Sequence, residues 1–323
     1  MGQGAGLDQA GGQSVTEAWR PQRPIEIVAG TPPGGGLDRS ARALLKAIET
    51  NRLVDVPIEV VNVGGDGGRK AWVHMERYAG DGHVIGISSP NMAADYLTGV
   101  TKSDPDRFPS LAILYSEYIA FVVRTDAGLL GGAELLQRFA RNAAGVTVAL
   151  STSLGNSNHV AVAKVIRHAG GDTRAPKIRV FDTALDAVAD VVAGNADVGA
   201  ITAASAVAEL AAGRLRTIGI SSPARLPGPY AAAPTWSEQG VDCVIGSWRG
   251  VSGPPGLDGA QIAFWQATLA AATRTDEWRA DLDRHFWTEM YLDGSALRDY
   301  LARERTEMKA MLGELGLLTE GGT

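Results

Sequence analysis

Three glycine-rich stretches each stand where the chain passes from an apolar run into a helical pattern. They are Gly34, Gly35, Gly36, Leu37 and Asp38 (GGGLD), then GGDGGR over 64–69, then STSLGNSNH over 151–159. A helix start presents unpaired N–H groups and a partial positive charge, which suit an anion. Ser153 and Ser157 would add hydroxyl donors to the third stretch. Any one stretch can be a tight strand-to-helix turn. Their recurrence in two separate series favours a shared anion site, because ligands of open α/β sheets bind outside the carboxyl ends of the strands. Arg249, beside Trp248, could meet a carboxylate with two parallel hydrogen bonds. It could equally hold an internal ion pair, and Arg69 and Lys70 could simply offset Asp66.

Other chemistries lack their residues. PPGGGLD is not G-x-G-x-x-G, no acidic residue ends the next strand, and no G-x-x-x-x-G-K-[ST] occurs. A G-x-S-x-G elbow is absent. Ser157 and His159 have no evident third member for a triad, so His159 reads as a helix-start hydrogen-bonding residue rather than a base. Cys243 is the only cysteine, which excludes an internal disulfide, and the five histidines show no ligand spacing. No cofactor, metal or nucleotide is expected. A net charge of −6 without a basic block argues against nucleic acid. An acidic protein must then hold an anion by local dipoles.

The 323 residues suit two domains, and 45% apolar content can give each a core. No apolar run approaches the roughly 20 residues of a membrane span. Residues 1–18 lack the charged and apolar regions of a signal peptide and read as a flexible N-terminus. From residue 25 onward the pattern is strand, glycine loop, helix, repeated. Strands are predicted at 25–30, 57–63 and 83–89, then at 146–151, 178–181, 197–202 and 215–221. Such alternation predicts mostly parallel sheets covered by helices. The β-rich runs 111–124 and 243–256 predict two crossings between lobes, and the C-terminal third reads as helices at 258–273, 276–285 and 295–315.

These segments resemble the receptor subunits of tripartite tricarboxylate transporters, the TctC or Bug family. The resemblance rests on PPGGGLD, VVNVGGDGG, DGHVIGIS, SLGNSNH, AGRLRTIGISSPARLPG and PTWSEQGVDCVIGSWRGVSGPPG, in register from Pro21 to Leu318. It implies a two-lobe periplasmic binding protein of the type II-like, venus-flytrap kind. The lobes would be 19–122 with 244–323, and 123–243, joined by two hinge crossings. It implies a periplasmic, monomeric, non-enzymatic receptor that passes a small organic carboxylate (a di- or tricarboxylate or an aromatic acid) to the membrane subunits of a transporter. A ligand-presenting sensor or an enzyme acting on carboxylates are the competing classes. The ligand set it implies is Gly34, Gly35, Gly36, Asp38, Ser89, Asn91, Ser153, Ser157 and His159, with Phe181 where the family places an aromatic; Leu37, Asn156, Thr202 and Arg249 complete the candidate set. The sequence departs from the family pattern at Leu37, at Gly64, Asp66, Arg69 and Lys70, at Thr202 and at Ser247. The departures bear on the ligand rather than the fold.

Overall fold

The computed structural model describes residues 18–319. The expectation of a flexible segment over 1–18 therefore lies outside the described residues, save for its last position. Three strand–helix units come first: β1 (Ile25–Ala29) and α1 (Gly36–Thr50), β2 (Ile58–Asn62) and α2 (Arg69–Met75), β3 (Val84–Ser88) and α3 (Asn91–Leu97). The long β4 (Ser110–Arg124) follows. A second series is α4 (Gly132–Asn142), β5 (Thr147–Ser151), α5 (Ser157–His168), β6 (Lys177–Phe181), α6 (Ala184–Val192), β7 (Val198–Thr202), α7 (Ala203–Ala211) and β8 (Leu215–Ile220). The chain returns through β9 (Gly246–Ser252) and ends with α8 (Gly259–Ala272), α9 (Asp276–His285), β10 (Thr288–Leu292) and α10 (Gly294–Glu314).

The strands form one continuous path, β2-β1-β3-β9-β4-β7-β5-β6, with β8 and β10 also paired to β4. Each half keeps a parallel trio, β2-β1-β3 and β6-β5-β7. The crossing strands at the centre pair antiparallel, so the sheet as a whole is mixed. The cause is the crossing itself. A strand that runs toward the boundary in one half runs away from it in the next, against the local strands. In β4 the partners change between Tyr118 and Ile119: β9 and β10 before, β7 and β8 after. Buried on both faces along most of its length, β4 reads as a near-continuous apolar run. Ser221 ties its crossing to the return. Its hydroxyl accepts from the Ile119 amide at 2.8 Å and donates to the Ile245 carbonyl at 2.6 Å.

Alternation along the strands gives each half two cores. Ile25, Ile27 and Ala29 pack with α1, α8 and α9 around Trp265, Trp278 and Trp287, while Val28 faces Met75 and Met92 on the other side. In the second half Phe121 and Val123 join α4 and α5, and Ala120 and Val122 join α6 and α7. Local signals set the helix starts. Asn156, Thr183 and Thr275 cap α5, α6 and α9 by accepting from an amide of the first turn, and Asp258 with Gln261 makes a capping box on α8. Finally, α10 spans the back of both halves. Leu297 packs on Trp248, and Arg167 of α5 binds Glu314 at 2.8 Å. No described helix is long and apolar enough to cross a membrane.

Candidate functional site

All six strand–helix units of the two series turn their loops toward one cleft. Gly35, Gly36 and Leu37 come from the loop after β1, Gly67 and Gly68 from that after β2, and Ser89 and Asn91 from that after β3. Opposite stand Thr152, Asn156 and Asn158 after β5, Asp182 to Leu185 after β6, and Thr202 and Ser205 after β7. The halves touch across the gap. Asn91 Nδ2 donates to Thr152 Oγ1 at 3.0 Å, and Arg39 Nη2 donates to Ser205 Oγ at 3.2 Å. What remains between them is a cavity of about 70 Å³, so this is a closed conformation.

The first turn of a helix leaves amides without intrahelical acceptors. In α1 the Asp38 amide is taken by Thr31 Oγ1, and in α5 the His159 amide by Asn156 Oδ1. The Gly36 and Leu37 amides, and those of Ser157 and Asn158, bond to no other described residue. Gly35 has an ordinary φ of −71°, so it is not required for a left-handed turn. Space requires it: a Cβ there would lie 2.5 Å from Thr31 Cβ.

Charge in the cleft comes from three guanidinium groups and two carboxylates: Arg39, Arg69, Arg249, Asp95 and Asp182. Both readings of Arg249 hold at once. It lines the cleft, yet its Nη2 binds Glu117 Oε2 at 3.4 Å, and both side chains are at least nine-tenths buried. Its Nη1 donates to Ser247 Oγ at 2.7 Å, while its Nε has no partner among the described residues. The Arg39 Nε is likewise unpartnered.

Of the candidates named from sequence, Gly35, Gly36, Leu37, Ser89, Asn91, Asn156, Thr202 and Arg249 come together here. Six do not line the cleft, and each has another task. Gly34, at φ +81°, forms the turn and donates its amide to Asp38 Oδ2 at 2.7 Å. Asp38 points into that loop and also accepts from Arg42 and Asn62. Burial alone would raise its pKa, but these hydrogen bonds outweigh burial and hold the carboxyl below its ordinary value. Ser157 turns away, because successive helical residues rotate by about 100°. It lines a separate hollow against α10. His159 Nδ1 accepts from the Gly155 amide at 3.0 Å, and burial pulls its pKa to about 4. It is therefore a neutral loop fastener, as the absence of a triad suggested. Phe181 packs on the second-half core with the Arg179 guanidinium over its ring. Ser153 is buried beside Asp95, behind the cleft lining.

Sequence reasoning missed Arg39, Trp72, Asp95, Thr152, Asn158 and Ser205, all of which line the cleft. It also passed over the loop after β6. The rule that found the other loops, a polar turn between strand and helix, applies equally to Asp182 and Thr183.

Two halves joined by two strands, with loops from both meeting across a cleft, define the periplasmic-binding-protein fold. A TctC solute-binding protein from Polaromonas superposes with a TM-score of 0.66 at 26% identity, over 91% of this chain and 99% of that one. Two proteins of Rhodopseudomonas palustris share the fold. MatC, solved with malate, gives a TM-score of 0.74 at 20% identity over 93% and 100% of the two chains. A second, solved with adipate, gives 0.79 at 19% over 92% and 98%. In sequence, a UPF0065 protein from the tcbD–tcbE intergenic region of Pseudomonas sp. strain P51 is 29% identical over 279 residues, 83% of this chain and 80% of the relative. No family model matches the chain. The chain is thus similar in sequence and fold to a TctC solute-binding protein, and in sequence to a UPF0065 protein.

Proposed function

We propose that this protein is an extracytoplasmic receptor that captures a small carboxylate between two lobes and delivers it to a tripartite tricarboxylate-type membrane transporter. The lobes would be 19–122 with 244–323, and 123–243. The observation that carries this reading is the cleft itself. Free first-turn amides of α1 and α5 and the guanidinium groups of Arg39, Arg69 and Arg249 border one small space. Hydrogen-bond donors fixed before binding suit an anion and cost little reorganisation. The malate and adipate found in two proteins of the same fold point to dicarboxylates. Gly36, Leu37, Asn91, Asn156, Asn158 and Thr202 are the proposed ligand contacts, with Arg39 and Arg249 supplying positive charge.

The test is a thermal-shift screen against mono-, di- and tricarboxylates and aromatic acids. A ligand that binds only the folded state at 1,000 times its Kd stabilises by about 4.1 kcal/mol. At least one dicarboxylate should therefore raise the melting midpoint by several degrees. A flat response to every acid at millimolar concentration would contradict the reading.

A further inference from the structure

A cleft built only to hold carboxylates needs donors, yet this one contains an unsatisfied acceptor. Asp95, on α3, lines the cleft and is 2% exposed. Its Oδ2 receives one hydrogen bond, from Arg69 Nη1 at 3.2 Å. Its Oδ1 has no donor among the described residues. From the opposite half the Ser153 hydroxyl lies beside this carboxyl, buried and also without a bond of good geometry. Burial raises the Asp95 pKa, against the opposing pull of Ser153 and Arg69.

An unpaired buried acceptor costs about 1–3 kcal/mol. A plain carboxylate offers only acceptors and cannot relieve it. A ligand with a donor beside its carboxylate can. We propose that Asp95, assisted by Ser153 from the other half, recognises a hydroxyl group on the ligand, so that the cleft prefers hydroxycarboxylates over their unsubstituted parents. The proposal rests on the carboxylate reading above and narrows its ligand class. A neutral hydroxyl suits the position better than an ammonium group. Arg69 already sits on Asp95, and the three guanidinium groups outnumber the two carboxylates in the cleft, so a ligand cation would meet repulsion there.

Matched pairs differing by one hydroxyl test this: succinate against malate, and adipate against 2-hydroxyadipate, titrated calorimetrically at neutral pH, with aspartate as the ammonium control. The wild type should bind the hydroxylated member of a pair at least tenfold more tightly. Asp95→Leu should bring the ratio to about one while the plain acids still bind. Ser153→Ala, a smaller deletion that keeps the fold if Asp95→Leu does not, should lower the ratio severalfold. Equal affinities within the pairs, or a ratio unchanged in both variants, overturn this proposal alone. Tighter binding of aspartate than of malate overturns it in favour of an amino-acid ligand. Binding of none of the five acids overturns it, and a flat response to the wider acid screen as well overturns the carboxylate reading with it.

Discussion

Replacing Arg249 by methionine is expected to destabilise the protein by about 3–5 kcal/mol, the usual cost of stranding one partner of a buried ion pair. Glu117 is 1% exposed and would keep only the Ala204 amide, which donates to its Oε1 at 3.1 Å. Both residues sit on the strands that connect the halves: Glu117 on β4 and Arg249 on β9. The damage should therefore fall on the crossings, not on one lobe. Denaturant midpoints check the size of the effect. The charge argument is checked by adding Glu117→Gln, which removes the orphaned negative charge and should recover most of the loss. If Arg249→Met costs under 1 kcal/mol, or if Glu117→Gln makes it worse, the pair is not what holds the crossings.

Stability should also fall as pH rises from about 4.5 to about 7, through Glu304. This residue of α10 lies under β9, where burial, reinforced by Glu307, pushes its carboxyl up to about 7 despite the Trp248 indole N–H donating to it at 2.7 Å. The sign follows from proton linkage. Between the ordinary value of 4.5 and about 7 the native state keeps a proton that the unfolded chain has released, so raising the pH favours unfolding. A shift of this size corresponds to about 3 kcal/mol across that window and nothing more above it. Glu304→Gln keeps an acceptor for Trp248 and removes the charge. Its melting midpoint should match the wild type near pH 4.5 and exceed it by several degrees at pH 8. His159 titrates in the opposite sense: the native state resists the proton it would take below 6.5, so it costs stability as pH falls toward about 4. That contribution is common to both proteins and cancels in the comparison. Curves that stay parallel from pH 4.5 to 8 would contradict the Glu304 assignment.

The fold was legible where apolar period and punctuation agreed. The stripe of Leu37, Ala41, Leu44 and Ile48 marked α1, and Gly194 marked the end of α6. The helices α3 and α4 and the strand β10 were not marked. α3 is only seven residues long and opens on Pro90 and Asn91, a pattern that also suits a turn. β10 is a five-residue edge strand, TEMYL, wedged between two helices, and only its pairing with β4 makes it a strand. Antiparallel pairing at the centre was invisible for the same reason, since strand direction depends on where the chain crosses.

In the cleft, most of the expected residues that line it stand in a turn or at the very start of a helix: Gly35, Gly36, Leu37, Ser89, Asn91 and Asn156, with Thr202 at the end of β7 and Arg249 on β9. A turn's backbone is exposed whichever way its neighbours rotate. Arg39, Asp95 and Ser205 sit further into their helices, where a rotation of about 100° per residue decides between cleft and core. Nothing in the local sequence fixes that rotation. Ser157 shows the same uncertainty from the other side. It was read as a donor in the cleft, yet helix geometry turns it toward α10.

The central claim is that the two halves close on a carboxylate in this cleft, and Gly67 gives the most direct access to it. Its φ is +64°, and an added Cβ would lie 2.9 Å from the Thr152 carbonyl oxygen on the other half. Left-handed backbone costs a non-glycine residue about 1–2 kcal/mol, and the clash arises only when the cleft is shut. Calorimetric titration of the best-binding acid into wild type and Gly67→Ala should show at least a tenfold loss of affinity, about 1.4 kcal/mol, while the ligand-free melting midpoint drops by only a few degrees. Unchanged affinity in a folded Gly67→Ala protein would mean that the acid binds without bringing Gly67 against Thr152, and the account of closure would be wrong.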